Sequence, residues 1–160
     1  MGDVAPAWQA NCLQDLYLYD MKNIFILASI AILFSCSSGP KNPGGGMNYF
    51  SGNFDAAVTE ASTKHKPIFI YGHVSWCGSC KKMARSTFNE KEVNDYMNEN
   101  YINLAYDLEK GEGTYIANKF SLHSYPAYVL LSETGELLAI SGGYMKPEKF
   151  LAWVATKPTP

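Results

Sequence analysis

The hexapeptide Trp76-Cys77-Gly78-Ser79-Cys80-Lys81 constrains this chain more than any other stretch. An apolar run, Pro67-Ile68-Phe69-Ile70-Tyr71, leads into it, and a helix-compatible segment, Lys81 to Ser86, leaves it. A strand that turns directly into a helix puts Cys77 at the helix N-terminus. Unpaired backbone N–H groups and the helix dipole favour an anion there, in this case a thiolate. A thiol so placed can have its pKa lowered from about 8.5 to roughly 3.5–7.5. Cys80 lies one turn further in, close enough to form a disulfide. The pattern points to a redox dithiol. Cys77 beside an exposed surface is the expected nucleophile, and Cys80, less accessible and less acidic, the resolving thiol. Two other readings use the same cysteines. A purely structural disulfide would close so small a loop that the entropic gain is slight. A structural zinc site needs about four ligands, and His65, His73 and His123 stand at no ligand spacing from the single CxxC.

The rest of the globular part alternates helix and strand. Phe54, Ala57, Val58 and Ala61 recur at helical spacing and predict a helix over Asn53–His65. Pro67 ends it and opens a strand, Ile68–Val74. Asn89-Glu90-Lys91-Glu92 reads as a capping box with Asn89 as N-cap, starting a helix through Val93, Tyr96 and Met97. A strand over Tyr101–Leu108, a short helix over Thr114–Phe120 and a strand over Pro126–Leu131 follow. Glu133-Thr134-Gly135-Glu136 turns into a hairpin strand, Leu137–Ser141, broken by Gly142-Gly143. A last helix over Pro147–Ala155 places Phe150, Leu151 and Val154 on one face. This order implies an α/β fold with a central mixed sheet flanked by helices on both faces. Its 13 basic and 15 acidic side chains nearly cancel, which argues against nucleic acid as a partner.

The first part of the chain reads as an address. Ile24–Phe34 is an apolar run about half as long as the ~20 residues of a membrane-spanning helix. With Met21-Lys22-Asn23 before it, the run fits a secretory signal peptide. Residues 1–20 carry Asp3, Asp15 and Asp20 and no Lys or Arg, so translation is expected to start at Met21, with 1–20 an upstream extension. Leu33-Phe34-Ser35-Cys36 resembles the bacterial lipoprotein box, which implies residues 21–35 as signal peptide and Cys36 as the lipidated first residue of the mature chain. Several acyl chains would anchor it firmly. Ser37, in place of Asp, resembles the outer-membrane default more than inner-membrane retention. A Gly/Pro/Ser-rich tether follows within 36–48, expected to lack structure, and the folded domain is expected over 49–156.

The order of elements, with WCxxC after the first long strand, resembles the thioredoxin fold. A second landmark agrees with it: Tyr125-Pro126 opens the strand after Leu122-His123-Ser124. In thioredoxins a cis-proline at this place packs against the disulfide, and the backbone of the residue before it, here Tyr125, hydrogen-bonds an extended substrate. The family's glycine after the last strand matches Gly143. The stretch from Cys80-Lys81-Lys82-Met83 to Phe88-Asn89-Glu90-Lys91-Glu92-Val93 is similar to periplasmic thioredoxin-like domains, among them the C-terminal domain of DsbD.

The resemblance implies a thiol–disulfide oxidoreductase, leaning toward a reductant of protein disulfides in the periplasm. It would need no cofactor beyond the Cys77–Cys80 disulfide. A reductant in an oxidising compartment needs a membrane partner to supply electrons. A substrate-binding or chaperone module with a secondary redox role, and a disulfide isomerase or oxidase, are the alternatives. Trp76 is expected beside the sulfurs, shielding one side. Gly78-Ser79 stands where thioredoxin has Gly-Pro, and this dipeptide tunes potential across a range of roughly −270 to −120 mV. Two departures stand out. Tyr71 occupies the place of the family's buried Asp, and Asn103 that of its Lys partner. His73, on the same strand face as Tyr71 by the period of two, becomes a candidate to influence the thiols. Asp107 and Glu109 read as solvated loop carboxylates, and His123 as a loop residue near the groove.

Overall fold

The structure, a computed structural model, describes residues 45–156. The expected signal peptide, Cys36 and most of the expected tether lie outside the described residues. The elements are α1 (Phe54–Lys64), β1 (Ile68–His73), α2 (Gly78–Arg85), a 3-10 turn (Thr87–Asn89), α3 (Lys91–Asn100), β2 (Ile102–Asp107), α4 (Glu112–Lys119), β3 (Ala127–Leu131), β4 (Leu137–Gly142) and α5 (Pro147–Ala155). The four strands form one mixed sheet in the order β2-β1-β3-β4. β1 runs parallel to β2 and antiparallel to β3, and β4 closes a hairpin on β3.

Local chemistry explains most boundaries. Asn53 caps α1, its Oδ1 accepting the N–H of Ala56 at 2.8 Å, and His65 ends the helix in the left-handed region. Pro147 opens α5, where its missing N–H costs nothing. The expected capping box is displaced. Asn89 closes the 3-10 turn, and Glu90 is the N-cap of α3 without a side-chain bond. The cause is Thr87, fully buried, whose hydroxyl donates to the carbonyl of Met145 at 2.6 Å and fixes a tight turn before the helix can start. The domain also begins before Tyr49. Gly46 N–H donates to the Phe88 carbonyl at 2.7 Å, and Met47 is buried, so residues 46–48 of the expected tether pack on the domain.

The sheet divides two apolar layers. Side chains alternate along β1. Phe69 and Tyr71 face the 3-10 turn and α5, where Phe69 meets Phe88 and Phe150 edge-on at 6.1 and 5.6 Å, and Tyr71 meets Phe88 at 4.9 Å. Tyr128 of β3 stacks beside both, at 6.2 Å from each. Ile68 and Ile70 point the other way, toward the layer of α1 and α4. Those two helices are joined by the Phe54 N–H, which donates to Glu112 at 2.9 Å. Phe88 is the hub of the first layer: fully buried, in edge contact with Phe69, Tyr71, Tyr128 and Phe150. Phe88→Ala is expected to cost about 3–5 kcal/mol through lost burial and the cavity it leaves. Urea unfolding measures it, and a loss below about 1 kcal/mol would show that this layer is not closely packed.

Candidate active site

β1 ends at His73, and Val74 to Trp76 carry the chain across to α2. Cys77 is the N-cap of α2, in extended conformation. Its Sγ accepts the N–H of Cys80 at 3.0 Å, one of the orphan donors of the first turn. That is the position in which the free sulfur, once reduced, gains most as a thiolate. Cys77 and Cys80 are joined in a disulfide, with their Cα atoms 5.3 Å apart. The expected difference in accessibility is absent: both residues are only 4% exposed. Helix position distinguishes them instead. Cys77 is sunk among exposed neighbours, Ser75, Trp76, Gly78 and Ser79. A Cβ on Gly78 would meet nothing within 4 Å, so the approach over the first turn is open.

Pro126 arrives opposite this turn. The Tyr125–Pro126 peptide bond is cis, as the resemblance implied. The Pro126 carbonyl accepts the N–H of Gly143 at 2.8 Å. Gly143 takes φ +79°, a conformation glycine adopts freely. A Cβ on Gly142 would stand 3.0 Å from that same carbonyl and 3.0 Å from the Ser124 hydroxyl, so glycine lets β4 end this close to Pro126 without crowding it. The Tyr125 carbonyl lies 3.4 Å from the Ser79 hydroxyl, and that hydroxyl is 3.3 Å from Cys77 Sγ.

Trp76 is 65% exposed and stands edge-on to Tyr125 at 5.7 Å. Its indole N–H donates to the Glu109 carboxylate at 3.1 and 3.3 Å. The indole is thus held between Glu109 and Tyr125. Glu109, expected to be a solvated loop carboxylate, is the residue that orients the tryptophan. A separation of 33 positions left no pattern by which to find it. Asp107 instead pairs with Lys110 at 2.9 Å.

Beneath the disulfide, the two departures have separate outcomes. Tyr71 is buried and its phenol donates to the Cys80 carbonyl at 3.0 Å. Burial pushes its pKa far up, so it stays protonated and acts as a donor only. Asn103 pairs in register with Phe69, not Tyr71, and its amide donates to the carbonyls of Met97 and Asn48 at 3.2 and 3.4 Å. It fastens α3 and the N-terminal segment and takes no part in the redox site. His73 borders that site: with Tyr71, Val74, Ser75, Cys80 and Lys81 it lines a half-open cavity of about 190 Å³. Its ring stacks on Tyr71 at 5.3 Å. Burial lowers its pKa below 6.5, opposed by Asp107 and reinforced by Lys110, so it is a neutral imidazole at pH 7. His123 is exposed in the loop before Tyr125.

This arrangement is a thiol–disulfide exchange site: a helix-capping sulfur, a resolving partner one turn on, and a facing X-Pro strand. A family model described as thioredoxin-like matches residues 50–132, more than half of the chain. The chain belongs to the thioredoxin-like family. Within it, the chain is 27% identical over 101 residues to the thiol:disulfide interchange protein DsbD of Neisseria meningitidis, covering 61% of this chain and 17% of that protein. Among solved structures it is similar to a candidate disulphide-isomerase from Bacteroides thetaiotaomicron, with TM-score 0.61 and 28% identity over 72% of this chain and 98% of the other. It is also similar to the reduced C-terminal domain of Neisseria meningitidis DsbD, with TM-score 0.55 and 26% identity over 65% and 93% of the two chains. The chain thus spans about a sixth of the length of the curated relatives it matches. Among the described residues no helix is long and apolar enough to cross a membrane.

Proposed function

We propose that this protein reduces disulfides of periplasmic proteins while held to a membrane, the outer one in preference to the inner, by lipid on Cys36. The observation that carries the redox part is the Cys77 sulfur at the head of α2, bonded to the Cys80 N–H and disulfide-linked to Cys80. Reduction of that disulfide by a membrane dithiol donor supplies two electrons and two protons. The Cys77 thiolate then attacks a client disulfide, forming a mixed disulfide and releasing one client sulfur as thiolate, which takes up a proton. Cys80 loses its proton, attacks Cys77 Sγ, and displaces the second client thiol, restoring the closed pair. A client strand passing Trp76 would meet the backbone of Tyr125 across the open first turn. The DsbD likeness supports the reducing direction and a membrane electron donor. Purified protein with dithiothreitol is expected to reduce insulin disulfides, and Cys77→Ser to abolish it. Activity that survives this substitution would sink the reading, and a redox potential near −120 mV, not about −270 mV, would reverse its direction.

His73 is the residue that moves the Cys80 proton in this scheme. Among the cavity-lining residues Tyr71 is held protonated and cannot accept a proton at neutral pH, and the nearby Asp107, outside the lining, is engaged by Lys110. The cavity is large enough for water to link the imidazole to the sulfur. A base whose pKa lies below 6.5 is available above that pH and lost by protonation below it. Resolution of a trapped mixed disulfide should therefore already be flat with pH at 6.5 and fall only in more acid solution, below the lowered His73 pKa. In His73→Phe it should climb with pH toward the ordinary thiol range, about 8.5. Identical profiles would remove His73 from the mechanism.

The anchor has its own test. A clickable palmitate analogue should label the wild type in Gram-negative cells, and Cys36→Ala should lose the label and leave the membrane fraction. Persistent labelling of the variant would place the lipid elsewhere.

A further inference from the structure

Ser79 fills the third position of the CxxC tetrad with a single hydroxyl proton, and two acceptors compete for it. The hydroxyl oxygen is 3.3 Å from Cys77 Sγ and 3.4 Å from the Tyr125 carbonyl oxygen. Neither partner can donate: a disulfide sulfur has no hydrogen, and a carbonyl has none. In both contacts Ser79 must be the donor, and it has one proton to give. Among the described residues the Tyr125 carbonyl has no other hydrogen-bond donor, and Tyr125 lies just outside β3, so no ladder bond occupies it. Ser79 is exposed, and the space over Gly78 beside it is open.

The balance between the two acceptors depends on the charge of the sulfur. A disulfide sulfur is a weak acceptor, so with the pair closed the carbonyl holds the proton. Once the disulfide is reduced by a dithiol and Cys77 ionises, the sulfur carries a full negative charge. Hydrogen bonds to an ionised acceptor are roughly twice as strong as neutral ones. The hydroxyl then turns to sulfur and leaves the carbonyl without a donor. The geometry points to Ser79 as a positioning residue that couples the redox state of Cys77 to the backbone acceptor at Tyr125, covering that carbonyl when the disulfide is closed and uncovering it for a client N–H when Cys77 is a thiolate. This rests on the reading of the site as a client-reducing one. It adds that the reduced form alone presents the full acceptor, so an extended polypeptide carrying a disulfide is favoured over the product leaving the oxidised enzyme.

Two measurements on the full-length protein test the coupling without turnover. The first is Cys77 acidity, followed by thiolate absorbance at 240 nm. Ser79→Ala should make Cys77 about tenfold less acidic, one pKa unit, and Ser79→Thr, which keeps a hydroxyl, should restore the wild-type value. The second is the carbonyl ¹³C chemical shift of Tyr125. Wild type and Ser79→Ala should differ in the oxidised state, where the wild type has the bond. They should coincide in the reduced state above the Cys77 pKa, where neither has it. A Tyr125 difference of equal size in both states, or a Cys77 acidity unmoved by Ser79→Ala, overturns the proposal. Failure of the wild type to reduce insulin would instead overturn the functional reading, and is scored separately from both measurements.

Discussion

β1 is hydrogen-bonded on both edges, to β2 in parallel and to β3 in antiparallel register, and the redox site follows from that double pairing. Parallel pairing with β2 sends the chain out of β1 at the sheet end where Leu108 N–H returns to the His73 carbonyl at 2.8 Å. Antiparallel pairing with β3 brings the start of β3 to the same end, with Gly72 opposite Ala127. The turn after Cys77 and the Tyr125-Pro126 segment, joined by the Ser79 hydroxyl and the Tyr125 carbonyl across 46 positions, therefore come together because one inner strand pairs with two neighbours of opposite sense. The aromatic layer of Phe69, Tyr71, Phe88, Tyr128 and Phe150 keeps that strand under α2, and the Tyr71 phenol carries the packing up to the Cys80 carbonyl.

Features with a local cause were legible in the residues. The strand-to-helix passage at Cys77, the Asn53 cap, the Pro147 start and the Tyr125-Pro126 landmark each depend on a few neighbouring positions. The boundaries of α5 emerge as Pro147–Ala155, as the pattern predicts. The cap of α3 was missed because its competitor is remote: the Thr87 bond to Met145 spans 58 positions. The same holds for the site's polar contacts. Glu109 on Trp76 and Ser79 on Tyr125 bridge 33 and 46 positions, and hydrophobic periodicity carries no information about either. The burial of both cysteines to the same degree was also hidden, since it depends on tertiary packing and not on their places in the helix.

The replacement of the family's buried acid–base pair has a physical consequence of its own. A buried carboxylate must be desolvated or neutralised, at a cost of several kcal/mol for an isolated charge. Tyr71 removes that cost, since its phenol is neutral, stacked in the core and hydrogen-bonded. The titratable group moves two residues along the strand to His73, which lies at the edge of a solvent-reaching cavity and not in the packed layer. In the proposed mechanism, stability and proton handling thereby fall to separate side chains.

The entry of the chain into the domain has a mechanical meaning. Gly46 is hydrogen-bonded to Phe88, Asn48 to the Asn98 side chain at 2.8 Å, and Tyr49 bridges to Asn103 on β2. A pull on the N-terminal segment would be borne by α3, the 3-10 turn and the outer strand β2. The junction that carries Cys77 lies off that line of force, between β1 and α2. A domain fastened in this way can be pulled at its N-terminal segment without the load passing first through its reactive turn.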